Sequence, residues 1–458
     1  MPDLNHRLSA PPNALLGLIS PATWPTPPKR LRRLDGQGLP PAQVRGLRVK
    51  VVEKEVSMKT ELILAFLGTA LLVLPGWGAP EMANPRLRGD KPTPAEAGVR
   101  FQKIVLDKTF RSEGVAVADV NRDGKPDIFA GDVWYAAPNW KMYEIRPVGQ
   151  YDGSKGYSQT FVNFAQDVNG DGWVDSIIIG MPGEPCRWYE NPKNKPGYWK
   201  ERIVANSACN ETPLFADLLG TGRNVLLFAV RPEGFMAWFS VPKDLDGLWD
   251  MHVIAGPNAP GTDRYSHGLG VGDINGDGRN DVLFTEGWWE APQDRTQTKW
   301  KFHPAKLGPA CANMLVYDVD ADGDSDVITS SAHNYGIWWF EQKDGSVGSE
   351  FTQHVIFKEF SQPHAIILVD INGDGVKDLV TGKRYFAHMG KDPGEYEPAV
   401  LYWFELRRGQ GGKVEFIPHK IDDDSGAGTQ FEVADINGDG KLDIVSSNKK
   451  GVHIFLQL

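Results

Sequence analysis

Cysteine is scarce in this 458-residue chain, which has only Cys186, Cys209 and Cys311. An odd set of three supports neither a disulfide framework nor a Cys-rich zinc site. The one pairing left open is Cys186 with Cys209, in loops that the repeats described below place on the same face of neighbouring units. Apolar runs long enough for a bilayer are also lacking. The stretch 62–74 falls short of the ~20 residues that a span needs, so no stable membrane span is expected. Positive charge is in deficit. The first 60 residues hold ten Lys/Arg against four Asp/Glu, and the rest holds 39 against 55. That balance excludes nucleic acid as a partner of the folded part. Long stretches of helix formers are few, whereas Gly (50), Pro (33) and Trp (15) are plentiful. Such a chain builds short strands and tight turns, and its 41% hydrophobic content marks it as globular.

The N-terminal part divides by composition. Residues 1–57 are rich in Pro and Arg and lack periodicity, as a disordered or mis-assigned extension would. Met58-Lys59-Thr60, the apolar run and the small residues Gly76 and Gly78 have the layout of a secretory signal peptide over 58–79. Residues 80–97 then form a linker, and the protein is expected to be exported, periplasmic or secreted.

From residue 98 onward the sequence repeats. The pattern D-x-[ND]-x-D-G-x-x-D begins at Asp119, Asp167, Asp273, Asp318, Asp370 and Asp435, and a decayed copy begins at Asp217. Leading Asp residues lie roughly 45 to 65 apart, the length of a four-stranded propeller blade. Each loop is preceded by an alternating segment such as 114–118. An apolar run, an aromatic segment (337–341, 401–405) and a closing segment (351–356, 249–254) follow it. The C-terminus stops after a third strand, 452–456, and residues 100–105 carry the missing fourth-strand pattern. These features predict an all-β fold, a seven-bladed β-propeller over 98–458 closed by an N-terminal strand, with the Asp-rich loops between first and second strands.

Oxygen ligands at loop positions 1, 3, 5 and 9, with Gly at 6 for a sharp turn, suit calcium. The expected ligands are Asp119, Asn121, Asp123 and Asp127; Asp167, Asn169, Asp171 and Asp175; Asp273, Asn275, Asp277 and Asp281; Asp318, Asp320, Asp322 and Asp326; Asp370, Asn372, Asp374 and Asp378; and Asp435, Asn437, Asp439 and Asp443. Up to six structural Ca2+ ions follow. An EF-hand is excluded because position 12 is apolar, Ala130 in one copy and Phe284 in another. Plain Asp/Gly turns would account for one such loop but not six. The decayed copy has Leu219, Thr221 and Val225 at ligand positions and should bind nothing.

With these loops the chain resembles the FG-GAP and VCBS repeat propellers over essentially all of 98–458. The His-marked lead-ins, Tyr265-Ser266-His267-Gly268 and Gln362-Pro363-His364-Ala365, are most similar to the propeller domain of the aldos-2-ulose dehydratase family. That resemblance implies a lyase acting on a keto-sugar such as anhydrofructose. The cupin region of that family is absent here, and what is shared is blade style, without a catalytic signature.

Six residues before each leading Asp stand Glu113, Phe161, Glu211, His267, Ala312, His364 and Thr429, on the face opposite the loops. Lys383, Arg384, Tyr385, His333 and His388 fall near the same channel mouth. Imidazole and carboxylate groups converging from several blades could hold Zn2+ or another divalent ion with an open position, or act as general acid and base. The expected roles are His267, His364 and Glu211 as ligands or base, Lys383 and Arg384 as partners of an anionic intermediate, and Tyr385 or His388 as the acid. For any single His the alternative is a channel-lining hydrogen bonder. Trp288, Trp289, Trp338 and Trp339 could stack on sugar, but their recurrence at one strand position points to packing between blades. Two functional readings stay open: a sugar dehydratase or lyase, and a non-catalytic propeller that binds carbohydrate or a protein partner.

Overall fold

The computed structural model describes residues 98–343 and 345–458. The extension, signal-peptide and linker assignments lie outside the described residues. No helix among those described is long and apolar enough to cross a membrane.

After β1 (Phe101–Asp107), the strands come in groups of four. The first group is β2 (Ala116–Ala118), β3 (Asp127–Ala130), β4 (Val133–Ala136) and β5 (Lys141–Glu144). The second is β6 (Val162–Gln166), β7 (Asp175–Ile179), β8 (Glu184–Glu190) and β9 (Lys200–Ala208), and the third β10 (Leu214–Ala216), β11 (Val225–Val230), β12 (Phe235–Ser240) and β13 (Asp250–Ala255). Next come β14 (Leu269–Gly272), β15 (Asp281–Phe284), β16 (Gly287–Glu290) and β17 (Lys301–Pro304), then β18 (Asn313–Tyr317), β19 (Asp326–Ser330), β20 (Tyr335–Gln342) and β21 (Phe351–Ser361). The last two groups are β22 (Pro363–Val369), β23 (Asp378–Lys383), β24 (Leu401–Arg408) and β25 (Val414–Asp422), followed by β26 (Phe431–Ala434), β27 (Asp443–Asn448) and β28 (Gly451–Gln457). Each group is an antiparallel meander, and β1 pairs antiparallel with β28, Ile104 facing Ile454. The result is an all-β propeller of four-stranded blades.

The sheet count departs from the seven separate sheets expected. Among the described residues there are five four-stranded sheets and one of eight strands, because β14 and β18 pair in parallel, Leu269 with Asn313 and Gly270 with Met314. Glycine makes this seam. A Cβ on Gly270 would lie 2.9 Å from Met314 Cβ, and one on Gly272 2.5 Å from Val316 Cβ. With no side chain there, the two inner strands come within hydrogen-bonding distance.

The core lies between successive sheets. Trp188 and Ile177 pack with Leu226 and Phe228, and Val115 and Ile128 pack with Val445 and Ile454. Third-strand aromatics supply much of this burial, and four of the tryptophans stack on the His opposite on the fourth strand. Trp238 lies on His252 (3.7 Å between centroids), Trp288 on His303 (4.0 Å), Trp403 on His419 (4.2 Å) and Trp339 on His354 (4.5 Å). Trp288 and Trp289 are almost fully buried and Trp338 and Trp339 nearly so, which makes them packing residues. Cys186, Cys209 and Cys311 are buried free thiols. Cys186 and Cys209 belong to different core clusters, so the pairing left open by the sequence is not formed.

Candidate functional site

The Asp-rich loops are built from their own backbone. In the first copy, Asp119 accepts the N–H groups of Asp123 and Gly124, each at 3.0 Å, and Asp123 accepts that of Lys125 at 3.0 Å. Position 6 needs a positive φ, 82° at Gly124 and 81° at Gly278, although nothing crowds the missing Cβ. Conformation, not space, therefore selects glycine. The ninth residue has a separate task. Asp281 is buried and accepts the N–H of Ile274 (3.3 Å) and of Ala291 at the end of the third strand (2.7 Å). Asp127, Asp175, Asp326, Asp378 and Asp443 make the equivalent pair of bonds. Burial pushes Asp175, Asp281 and Asp378 up to about 7. In the decayed copy Asp217 still accepts the N–H groups of Thr221 and Gly222 (2.9 and 2.7 Å), and Val225 fills the ninth position. Among the described loops, Asp318, Asp320 and Asp326 bring three carboxylate oxygens within 4.8 Å of one another.

At the opposite end, the lead-ins to the first strands are tied to one another. Thr429 N–H donates to the Glu113 carbonyl (2.7 Å), Glu113 N–H to Thr160 (2.9 Å), Glu211 N–H to Ser266 (3.1 Å) and Gly268 N–H to Ala312 (3.0 Å). First-strand residues including Phe164, Leu214, Asn313, Ile366 and Phe431 enclose a cavity of about 130 Å³ behind this mouth. Arg384 lies across it. Its guanidinium donates to Glu113 at 2.7 Å and Glu211 at 2.8 Å, approaches His364 Nε2 at 3.1 Å and sits over the Phe161 ring at 5.4 Å. Burial raises the Glu211 pKa, but Arg384, His267 and His364 outweigh it and hold the group well below the usual carboxylate range.

Three imidazoles surround Glu211. The ligand atoms of Glu211, His267, His333 and His364 all lie within 4.8 Å of one another. Glu211 Oε2 is 3.4 Å from Nε2 of both His267 and His364, and the Nε2 atoms of His267 and His333 are 2.8 Å apart. Two donors at about 2.0–2.1 Å from one tetrahedral ion stand roughly 3.3 Å apart, close to the Glu211 distances.

Proton placement sharpens the picture. A carbonyl only accepts, so Nδ1 of His267, 2.8 Å from the Tyr265 oxygen, carries its hydrogen. Asp392 is held below its usual range: burial raises it, but the His388 contact outweighs this. As an ionised acceptor it faces Nδ1 of His333 at 3.1 Å and Nδ1 of His388 at 2.9 Å. Burial and His267 lower the His333 pKa to about 4, so its ring is neutral. Nε2 of His333 is then a lone pair facing Nε2 of His267 at 2.8 Å, with the Glu211 carboxylate beside them. Such a group accommodates a cation. The surroundings agree in sign, with Arg384, Lys383 and Lys449 set among Glu113, Glu211, Asp392, Glu395 and Glu397.

The expected site residues do not all meet. Glu113, Glu211, His267, His333, His364 and Arg384 converge. Lys383 is buried but turned away: Nζ donates to Ser361 Oγ at 2.9 Å and to the Gly394 carbonyl, and lies 3.5 Å from Glu397. Tyr385 stacks on Phe386 beneath Lys450. His388 joins the group through Asp392, a residue the sequence analysis did not name. The available signal was length. Second-to-third-strand connections elsewhere run two to four residues, whereas that from β23 to β24 covers 384–400. This strap carries Arg384, His388 and Asp392.

Residues 318–381 match the FG-GAP-like repeat family. No curated protein matches the chain by sequence. Among solved structures, a lectin of Agrocybe aegerita, described as recognising non-reducing terminal N-acetylglucosamine, is 14% identical, with 78% of this chain and 85% of that one covered and a TM-score of 0.38. The Photorhabdus luminescens Tc holotoxin pore aligns at 18% identity over 68% of this chain and 16% of that one, TM-score 0.32. BBS1N, in complex with ARL6DN, aligns at 9% identity over 79% and 97%, TM-score 0.46.

Proposed function

We propose that the protein is an exported, calcium-stabilised, seven-bladed propeller whose channel mouth is a divalent-metal centre acting as a dehydratase on a keto-sugar. The eight-stranded sheet counts as two blades in this reading, since it contains two intact Asp-rich loops, and β1 closes the ring by completing the blade of β26–β28. Calcium takes the six intact loops and neutralises their clustered carboxylates; chelation should lower the melting temperature markedly.

The observation that carries the metal reading is the convergence of Nε2 of His267 and Nε2 of His333 beside the Glu211 carboxylate. These three residues suit zinc as two His and one Glu with a position left open. His364 is set apart from these three because its Nε2 faces the Arg384 guanidinium at 3.1 Å. A divalent ion held by His267, His333 and Glu211 would polarise a substrate ketone oxygen. The chain supplies the remaining steps. Glu113, whose Oε1 is buried without a partner, takes the proton from the carbon next to the ketone. His388, held through Nδ1 by Asp392, would act as the imidazolium and give its Nε2 hydrogen to the departing hydroxyl, which leaves as water while the ring becomes neutral.

Elemental analysis of protein stripped of loosely held calcium tests this. About one transition metal per chain should remain and be lost in His267→Ala and Glu211→Gln, together with formation of an ultraviolet-absorbing enone from anhydrofructose. Absence of that metal, with glycan binding unaltered in both variants, would sink the centre. One contact favours the second reading, a non-catalytic carbohydrate-binding propeller: Arg384 itself supplies a positive charge to Glu211, so the network can be satisfied without chemistry.

A further inference from the structure

We infer that Asp392, on the long strap between β23 and β24, is the positioning residue that fixes which nitrogen His333 presents to the channel mouth. An imidazole has two nitrogens and, when neutral, one hydrogen. Whichever nitrogen keeps the hydrogen cannot also offer a lone pair. Asp392 Oδ2 stands 3.1 Å from Nδ1 of His333 and also accepts the Nε2 amide of Gln362 at 3.0 Å. Its side chain is only 14% exposed, so water competes weakly for its oxygens. The hydrogen is therefore held at Nδ1, and Nε2 faces His267 and Glu211 as a lone pair.

Asp392 also joins two imidazoles. The His388 ring stacks on His333 at 4.5 Å between centroids, 23° from parallel, and its Nδ1 lies 2.9 Å from the same Asp392 oxygen. One carboxylate thus orients a half-buried ring at the mouth and a somewhat more exposed ring on the strap. The strap is held at two points near it: Lys449 Nζ donates to the Phe386 carbonyl at 2.9 Å, and Glu395, almost fully buried, accepts from the His388 N–H and from Gln362. A carboxylate behind a metal-binding imidazole sets its tautomer and raises its basicity, and its loss costs about 10–100-fold in metal affinity. This functional consequence rests on the metal reading; the fixing of the His333 hydrogen does not.

Two measurements on the full chain separate these points. Long-range 1H–15N spectra of the metal-free protein should show His333 with its hydrogen on Nδ1, and Asp392→Ala should shift it towards Nε2. Zinc affinity, read by competition with a chromophoric chelator, should fall about 10–100-fold in Asp392→Ala, with Asp392→Glu recovering part of the loss. Asp392→Asn, nearly equal in shape, serves if the alanine variant folds poorly, with a loss expected near the tenfold end. A merely structural role for Asp392 predicts a changed melting temperature with the His333 tautomer unmoved, and that result overturns the inference. If the wild type takes up no zinc while the tautomer still depends on residue 392, the metal reading fails and the positioning role stands.

Discussion

Asp281 and Glu211 are both buried carboxylates, yet one is satisfied by its own sheet and the other by residues from distant parts of the chain. Asp281 binds backbone N–H groups seven residues before it and ten after it. Burial pushes it up to about 7. Glu211 meets Arg384, 173 positions away, and two imidazoles, and is held low. The first arrangement is a local device that can be copied whenever a blade is copied. The second exists once and depends on the ring that assembles it. One rim therefore tests the blade, and the other tests the assembly.

The sharpest way to break this contrast is Arg384→Met. It leaves Glu113 and Glu211 without their cation in a dry site, and losing one partner of a buried ion pair costs about 3–5 kcal/mol; urea unfolding should show a stability loss of that size. Asp281→Ala should come next. It orphans two backbone donors at about 1–3 kcal/mol each when buried, and calcium binding should fall in that loop alone. Glu432, on the first strand β26, gives a smaller effect whose sign is fixed by linkage. Burial raises its pKa to about 7, so its contribution is complete below about 4.5 and is lost as the pH rises through 7. Glu432→Gln should flatten that dependence and add about 2 kcal/mol at pH 8, allowing for its partial exposure. Asp217→Ala should do least, about 1 kcal/mol or less, with calcium content unchanged. A large effect there would mean that the decayed loop still works as the intact ones do.

The same contrast explains what was legible in the sequence. The nine-residue loops, the aromatic third strands and the fourth-strand pattern at 100–105 recur, and recurrence exposes residues whose partners are a fixed few positions away. The lead-in ring of Glu113, Glu211, His267 and His364 could be located by counting from those loops. Asp392 could not, because it lies in a strap without a counterpart and meets His333 only through the fold. Lys383 shows the opposite error. Counting brings it to the mouth, but Ser361, Gly394 and Glu397 turn its ammonium group aside. The seam between β14 and β18 was also hidden, since alternating glycines in Leu269-Gly270-Val271-Gly272 read as an ordinary strand until a neighbour is placed against them.

That seam has a mechanical consequence. Other neighbouring blades meet through side chains and isolated backbone bonds such as Trp249 N–H to the Val204 carbonyl, which peel apart one contact at a time. The two blades joined at Gly270 and Met314 share a parallel strand pairing, whose bonds are loaded together when the strands slide. Under traction between the chain ends, Leu269–Ser361 should yield as one event and release roughly 310 Å of slack at about 3.4 Å per residue, about one and a half times the step of the longest other blade, Pro363–Asp422.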